Sequence, residues 1–232
     1  MIDILVILAH PDDAELCCAG TLLSSIEDGL KVGMVDLTRG ELGTRGSAEL
    51  RDKEASVAAS ILGVSIRENM NFRDGFFSND DAHRMELIRV IRKYRPEIIL
   101  CNAIMDRHPD HSKASQLVYD SYFLSGLRKI LTDQDVWRPK AIYHYIQFKS
   151  INPDFVVDVS DYMVKKIEAV RAYKSQFFDP NSNEPETIIS SKSFLDSIEY
   201  RASDLGRLSG VNYAEGFTVE RVPVISSLDD FL

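Results

Sequence analysis

The chain has 232 residues, 44% of them hydrophobic, enough to bury a substantial core in one domain of ordinary size. A formal charge of -9 argues against a nucleic-acid partner, because no basic stripe is available to displace counterions from phosphates. The three cysteines, Cys17, Cys18 and Cys101, form no C-x-x-C pair, so neither a disulfide framework nor a thiolate zinc site is indicated.

The first apolar run, residues 4–9, stops at His10 with no positively charged leader ahead of it. It is too short for a signal peptide or a membrane span, so the expected compartment is the cytosol, with no membrane partner. A segment of helical length follows, starting after Asp12 and closing near Gly29, and residues 32–37 form a second apolar run. Strand, helix, strand predicts a right-handed parallel crossover. Helical periodicity covers residues 48–62, with Gly63 as the stop, and residues 81–94 ahead of Pro96; residues 64–72 between them hold a short strand. Residues 97–101 read as a buried strand, 112–131 as a long helix, and 141–147 and 155–159 as strands. After Tyr162, helices at 164–177 and 193–208 flank a polar loop at 179–186, with no second core and no repeat. The alternation predicts an α/β, Rossmann-like, doubly wound and mainly parallel sheet with helices on both faces. One domain spans residues 1–232, its segment from about 160 packing on the sheet and lining a cleft.

Two polar loops carry the chemistry. His10-Pro11-Asp12-Asp13-Ala14-Glu15 stands where the first strand runs out, and Asp106-Arg107-His108-Pro109-Asp110-His111 follows the apolar run ending at Cys101. Open α/β sheets bind ligands at the carboxyl ends of their strands. A catalytic zinc takes three protein ligands and keeps a position for water; His10, Asp13 and His111 would supply two imidazoles and a carboxylate. Water on such a metal has its pKa lowered towards ~7. Asp12, turned elsewhere by the chain, would act as general base on it. His108 would stabilise an oxyanion or protonate a leaving amine, with Asp110 orienting it by accepting its other N–H. The bland alternative is a solvated turn, since His, Pro and Asp are common in turns. The same donors also accept Fe2+, Mn2+ or Co2+.

A nucleotide-binding turn would carry G-x-G-x-x-G where this chain has His10, Asp12 and Asp13, whose carboxylates would repel a pyrophosphate. Gly40, Gly43 and Gly46, spaced by three, read instead as a mobile loop over the cleft. Arg39, Arg45, Arg51 and Arg107 lie in or near polar loops, where they would suit an anionic small substrate.

The segment A-H-P-D-D-A-E, Ala9 to Glu15, resembles the first motif of the LmbE-like or PIG-L-like zinc de-N-acetylases, and His108-Pro109-Asp110-His111 resembles their H-P-D-H motif. Similarity extends over nearly the whole chain, including Thr38-Arg39-Gly40-Glu41 and residues 210–217. Within the family it is most similar to the deacetylases of bacillithiol biosynthesis. The resemblance implies zinc on His10, Asp13 and His111, Asp12 as base, His108 as the imidazole that stabilises the tetrahedral intermediate, and Asp110 as its partner. It places Arg51, Asp74 and Glu41 at the substrate. Relatives acting on mycothiol precursors carry a tyrosine where this chain has Asp106, so no tyrosine role is carried over. The implied substrate is an amino-sugar conjugate, N-acetyl-alpha-D-glucosaminyl L-malate, hydrolysed to glucosaminyl malate and acetate; Arg45, Arg51, Arg107 or Lys149 would meet the malate carboxylates. Alternatives are a chitooligosaccharide, an antibiotic precursor, or a non-catalytic sugar-binding module, which the intact set of Asp12, Asp13, His108 and His111 counts against. The resemblance also implies a homo-oligomer, with a hexamer among the forms. His144 and Glu215 receive no assigned role.

Overall fold

A strand covered on both faces has to be apolar at every position, and each residue of β1 (Ile4–Leu8) is buried. The computed structural model describes residues 1–227; the last five residues of the expected domain lie outside the described residues. Along the chain, β1 is followed by α1 (Asp13–Cys17), α2 (Ala19–Glu27), β2 (Val32–Thr38), α3 (Ala48–Leu62), β3 (Ile66–Phe72) and α4 (Asp81–Tyr94). Then come β4 (Ile98–Cys101), α5 (Pro109–Ser125), β5 (Ala141–Tyr145), β6 (Phe155–Asp158), α6 (Met163–Arg171), α7 (Lys192–Ser209) and β7 (Ala214–Val219).

The strands make one sheet in the order β3-β2-β1-β4-β5-β7-β6, parallel from β3 to β5. Alternate residues of the central strands enter different cores. Leu5, Ile7, Val35 and Ile99 pack with Leu87 and Ile91 of α4 and Leu117 of α5, whereas Ile4, Val6, Leu8 and Met34 pack with Leu22 of α2, Leu62 of α3 and Ala169 of α6. A further cluster, built on Ala58, Tyr173, Phe177, Leu195 and Ile198, seats α7 against α3 and α6. The chain runs outward from β1 to β2 and β3, then returns to β4 on the other side. That reversal makes a switch point between β1 and β4, where open α/β sheets form their ligand crevice.

Four local expectations are revised. The first helix is broken at Cys18, and α5 is displaced towards its N-terminus, running from Pro109 to Ser125. Arg92 accounts for its end: the buried guanidinium donates to the carbonyls of Ser125, Leu127 and Ile130, which turns the chain out of the helix. The helix after Tyr162 stops at Arg171. The tail contains a strand that periodicity did not predict. β7 inserts antiparallel between β5 and β6, and its Glu215 is buried because Gly20 and Thr21, at the start of α2, donate to it alongside Lys166. An acidic residue facing inward removes the alternation by which such a strand is recognised.

Candidate active site

Because β1 and β4 are neighbours with Ile7 opposite Cys101, the loops leaving them emerge at one edge of the sheet. They form the floor of a cleft of about 500 Å3 lined by His10, Asp12, Asp13, Arg51, Asp74, Asp106, His108 and His111. The rings of His10, His108 and His111 lie with centroids 4.7 to 5.5 Å apart.

Asp13 joins the two loops. Its Oδ1 is 3.0 Å from His111 Nε2 and its Oδ2 is 3.6 Å from His10 Nδ1. Donor atoms sharing a tetrahedral zinc at ~2.0–2.1 Å stand roughly 3.3 Å apart, and both separations are near that value, through different oxygens of Asp13. Five carboxylates, on Asp12, Asp13, Asp74, Asp106 and Asp110, are buried around the imidazoles, a concentration of negative charge that also fits a cation. The three imidazoles offer one set of converging donors, and His10 with Asp74 and Asp110 offers another. Burial opposes protonation of His111, but Asp13 and Asp106 outweigh it and lift its pKa to about 9; burial would raise Asp13, yet His111 and His10 hold it well below the carboxylate range.

The His111 and His10 rings are each oriented from behind. His111 Nδ1 lies 2.6 Å from Asp106 Oδ2, which leaves Nε2 on the side of Asp13. Sequence reasoning gave Asp106 no role; its position five residues before His111 was the available signal. His10 Nε2 lies 3.0 Å from Asp74 Oδ1, so Asp74, expected at the substrate, is joined to a ring of the floor. Carboxylates behind metal-ligating histidines fix the tautomer and the ring plane.

Asp12 sits in a strained backbone conformation, φ 111°, that aims its side chain away from that of Asp13. Burial pushes its pKa up to about 7, against the pull of Arg51. Arg51, expected at the substrate, donates to the Pro11 carbonyl and to Asp12 Oδ2. Gly40 is required for this contact: its φ is +64°, and a Cβ there would lie 2.7 Å from Arg51 Nη1. Close approach, rather than mobility, explains that glycine.

The expected pairing of the Asp110 carboxylate with His108 is absent. His108 caps α5, its Nδ1 accepting the Asp110 backbone N–H at 3.3 Å, and that bond fills the nitrogen Asp110 was to meet. The Asp110 carboxylate turns instead to the Gly75 N–H at 2.8 Å, Lys113 at 2.8 Å and His10 Nε2 at 3.5 Å. Burial and the neighbouring His10 and His111 lower the pKa of His108 to about 4.

Glu41 is exposed and accepts the Asp74 backbone N–H, so it braces the floor without lining the cleft. Lys149 is exposed and serves through its backbone N–H, which donates to Asp106. His144 is buried beneath the floor, 3.0 Å from the Asn102 carbonyl. Arg45 and Arg107 do line the cleft; Arg45 is buried with its Nε unpartnered, and Arg107 lies over the Phe148 ring. Arg201 of α7, missed from sequence, lines it too and has a buried, unpartnered Nε. Asn102 and Gln147, also missed, touch Asp13 from below.

Residues 5–122 match the family described as PIG-L, GlcNAc-PI de-N-acetylase. The chain is 31% identical over 229 residues to a diacetylchitobiose deacetylase of Thermococcus kodakarensis, covering 92% of this chain and 81% of the relative. It is 28% identical over 196 residues to a probable N-acetyl-alpha-D-glucosaminyl L-malate deacetylase 2 of Bacillus anthracis, covering 75% and 81%. A conserved protein of Thermus thermophilus superposes with a TM-score of 0.89 at 35% identity, over 98% of each chain. A matched family region that contains both motif loops, on a sheet that brings them together, has one reading: the chain belongs to the PIG-L family of de-N-acetylases.

Proposed function

We propose that the protein is a zinc-dependent hydrolase that removes the acetyl group from an N-acetylglucosaminyl conjugate with an anionic aglycone, N-acetyl-alpha-D-glucosaminyl L-malate in the first instance. The observation that carries the anionic aglycone is on the walls. Arg45, Arg107 and Arg201 line the cleft, and none has a carboxylate partner among the described residues. Guanidinium groups left without anions beside a binding cleft suit a dicarboxylate.

His10, Asp13 and His111 would hold the ion, which when bound supplies Lewis acidity and lowers the pKa of its water towards ~7. Arg51 occupies only Oδ2 of Asp12, so Oδ1 keeps its lone pairs for the proton of the attacking water. The same carboxyl can then return that proton to the departing amine. With Nδ1 of His108 accepting from the backbone, the neutral ring carries its proton on Nε2 and donates to the amide oxygen as charge develops there. Water adds, the C–N bond breaks, and the products are the free amine and acetate.

A chitooligosaccharide is the second reading, favoured by the stacked Phe148 and Phe194 rings of the cleft, 6.4 Å apart, a surface suited to a second sugar. Acetate release by the zinc-loaded protein decides between them. We expect kcat/KM for the malate conjugate to exceed that for N,N'-diacetylchitobiose by at least about tenfold, the worth of one charge-assisted hydrogen bond. An equal or reversed preference overturns the anionic reading, and no release from either overturns the hydrolase.

A further inference from the structure

Asp13 accepts three hydrogen bonds and faces the His111 ring, and two of the three bonds come from side chains outside both motifs. Oδ1 faces His111 Nε2 at 3.0 Å and Gln147 Nε2 at 3.1 Å; Oδ2 faces the His10 backbone N–H at 3.0 Å and Asn102 Nδ2 at 2.9 Å. Asn102 is wholly buried and Gln147 nearly so. Asn102 follows β4 directly and Gln147 lies just past β5; these strands are neighbours, so the two amides meet beneath the floor, Asn102 Nδ2 to Gln147 Oε1 at 2.9 Å.

Backbone donors decide which way each amide points. Asn102 Oδ1 accepts the Ala9 N–H at 2.8 Å, and Gln147 Oε1 accepts the Ala103 N–H at 3.1 Å. With both oxygens taken, both NH2 groups are left to face Asp13. The main chain of each is pinned in turn, the Asn102 carbonyl by His144 and the Gln147 carbonyl by Arg201.

We propose that Asn102 and Gln147 are positioning residues that set the metal affinity of the site by locking Asp13 in one rotamer beside His111. This rests on the metal-dependent reading above. Neutral N–H donors suit the task. They fill the lone pairs pointing away from the ligands while leaving the negative charge for the cation, which a lysine or arginine at either position would cancel. Ordering the carboxylate in advance spares the ion that cost on binding, and groups behind metal ligands are typically worth 10- to 100-fold in affinity.

The test is zinc affinity measured by competition with a chromophoric chelator for the wild type, Gln147→Met and Asn102→Ser, beside the melting temperature of chelated and zinc-loaded protein. Met keeps the length of Gln147 without its hydrogen bonds. We expect zinc dissociation constants raised roughly 10- to 100-fold in each variant. The chelated variants should fold and melt below the chelated wild type by what the unpaired Ala9 or Ala103 N–H costs, and kcat should recover at saturating zinc. A folded variant with unchanged affinity overturns the proposal, as does failure of both variants to fold, which would make the pair structural. A wild type that binds no zinc overturns the metal-dependent reading as well, and so is distinguishable.

Discussion

Arg51 and Arg45 are both buried arginines at the same cleft, and they do different things. Arg51 belongs to the floor, where it is committed to the Pro11 carbonyl and Asp12, inside a network whose members hold one another at about 3 Å. Arg45 belongs to the wall, with one side-chain hydrogen bond, to Ser182, and an idle Nε. Arg201, on α7, resembles Arg45 more than Arg51. On the proposed function, the floor, made by the loops after β1 and β4, carries the reaction, while the walls, from the loop after β2 and the segment after β5, select what enters.

If that division holds, damage to the floor abolishes turnover and damage to the wall changes preference. The largest effect is expected from His111→Ala or chelation, each removing metal and activity together, with added zinc restoring only the chelated wild type. Activity that survives thorough chelation, confirmed by metal analysis, breaks the comparison at its root. Next, Asp12→Asn should keep zinc while lowering kcat by about 10²- to 10⁴-fold, the usual contribution of a positioned base. Equal zinc loss in Asp12→Asn and His111→Ala would show base and ligand exchanged.

A smaller effect tests the wall. Arg45→Met should raise KM for the malate conjugate by about 10- to 100-fold, from loss of a hydrogen bond to a charged group, while kcat with diacetylchitobiose stays near that of the wild type. A loss shared by both substrates would place Arg45 with the floor.

The smallest effect concerns pH. Against the effect of burial, Asp13 and Asp106 push the His111 pKa up to about 9 from 6.5 for a free imidazole in the metal-free protein, so its contribution to stability is complete below about 6.5 and is lost as pH rises towards 9. A ligating imidazole is already deprotonated, so the loaded protein escapes this loss. The gap in melting temperature between loaded and chelated protein should therefore widen from pH 6.5 to 9, and zinc binding near pH 7 should release protons, read from the buffer dependence of the binding enthalpy. A constant gap would remove His111 from the ligand set.

Much of the fold was legible because its cues are local. Ala48–Leu62 and Asp81–Tyr94 carry their own caps, in Ser47 with Gly63 and in Asp80, and a cap depends on residues within one turn. β7 had no such cue, since Glu215 is tolerable inside only because α2 brings N–H groups to it across most of the chain. In the site, polarity at a strand's carboxyl end singled out His10, Asp12, Asp13, His108 and His111. The same rule, applied to Asn102 after β4 and Gln147 after β5, would have found both amides.

The order of amino acids alone determined that strands and helices alternate, that two motif loops follow apolar strands, and that Asp12 and Asp13 take different directions. These depend on neighbours in the chain. Only the tertiary structure decided which partner each polar group takes: Asp110 with the Gly75 N–H and Lys113 instead of His108, Asp106 with His111, Arg51 with Asp12, and Asn102 and Gln147 with Asp13. A buried hydrogen bond goes to whichever group the packing brings within about 3 Å at a good angle. That choice is made by strand order, when β4 pairs with β1 and β5 with β4, and no local pattern encodes it.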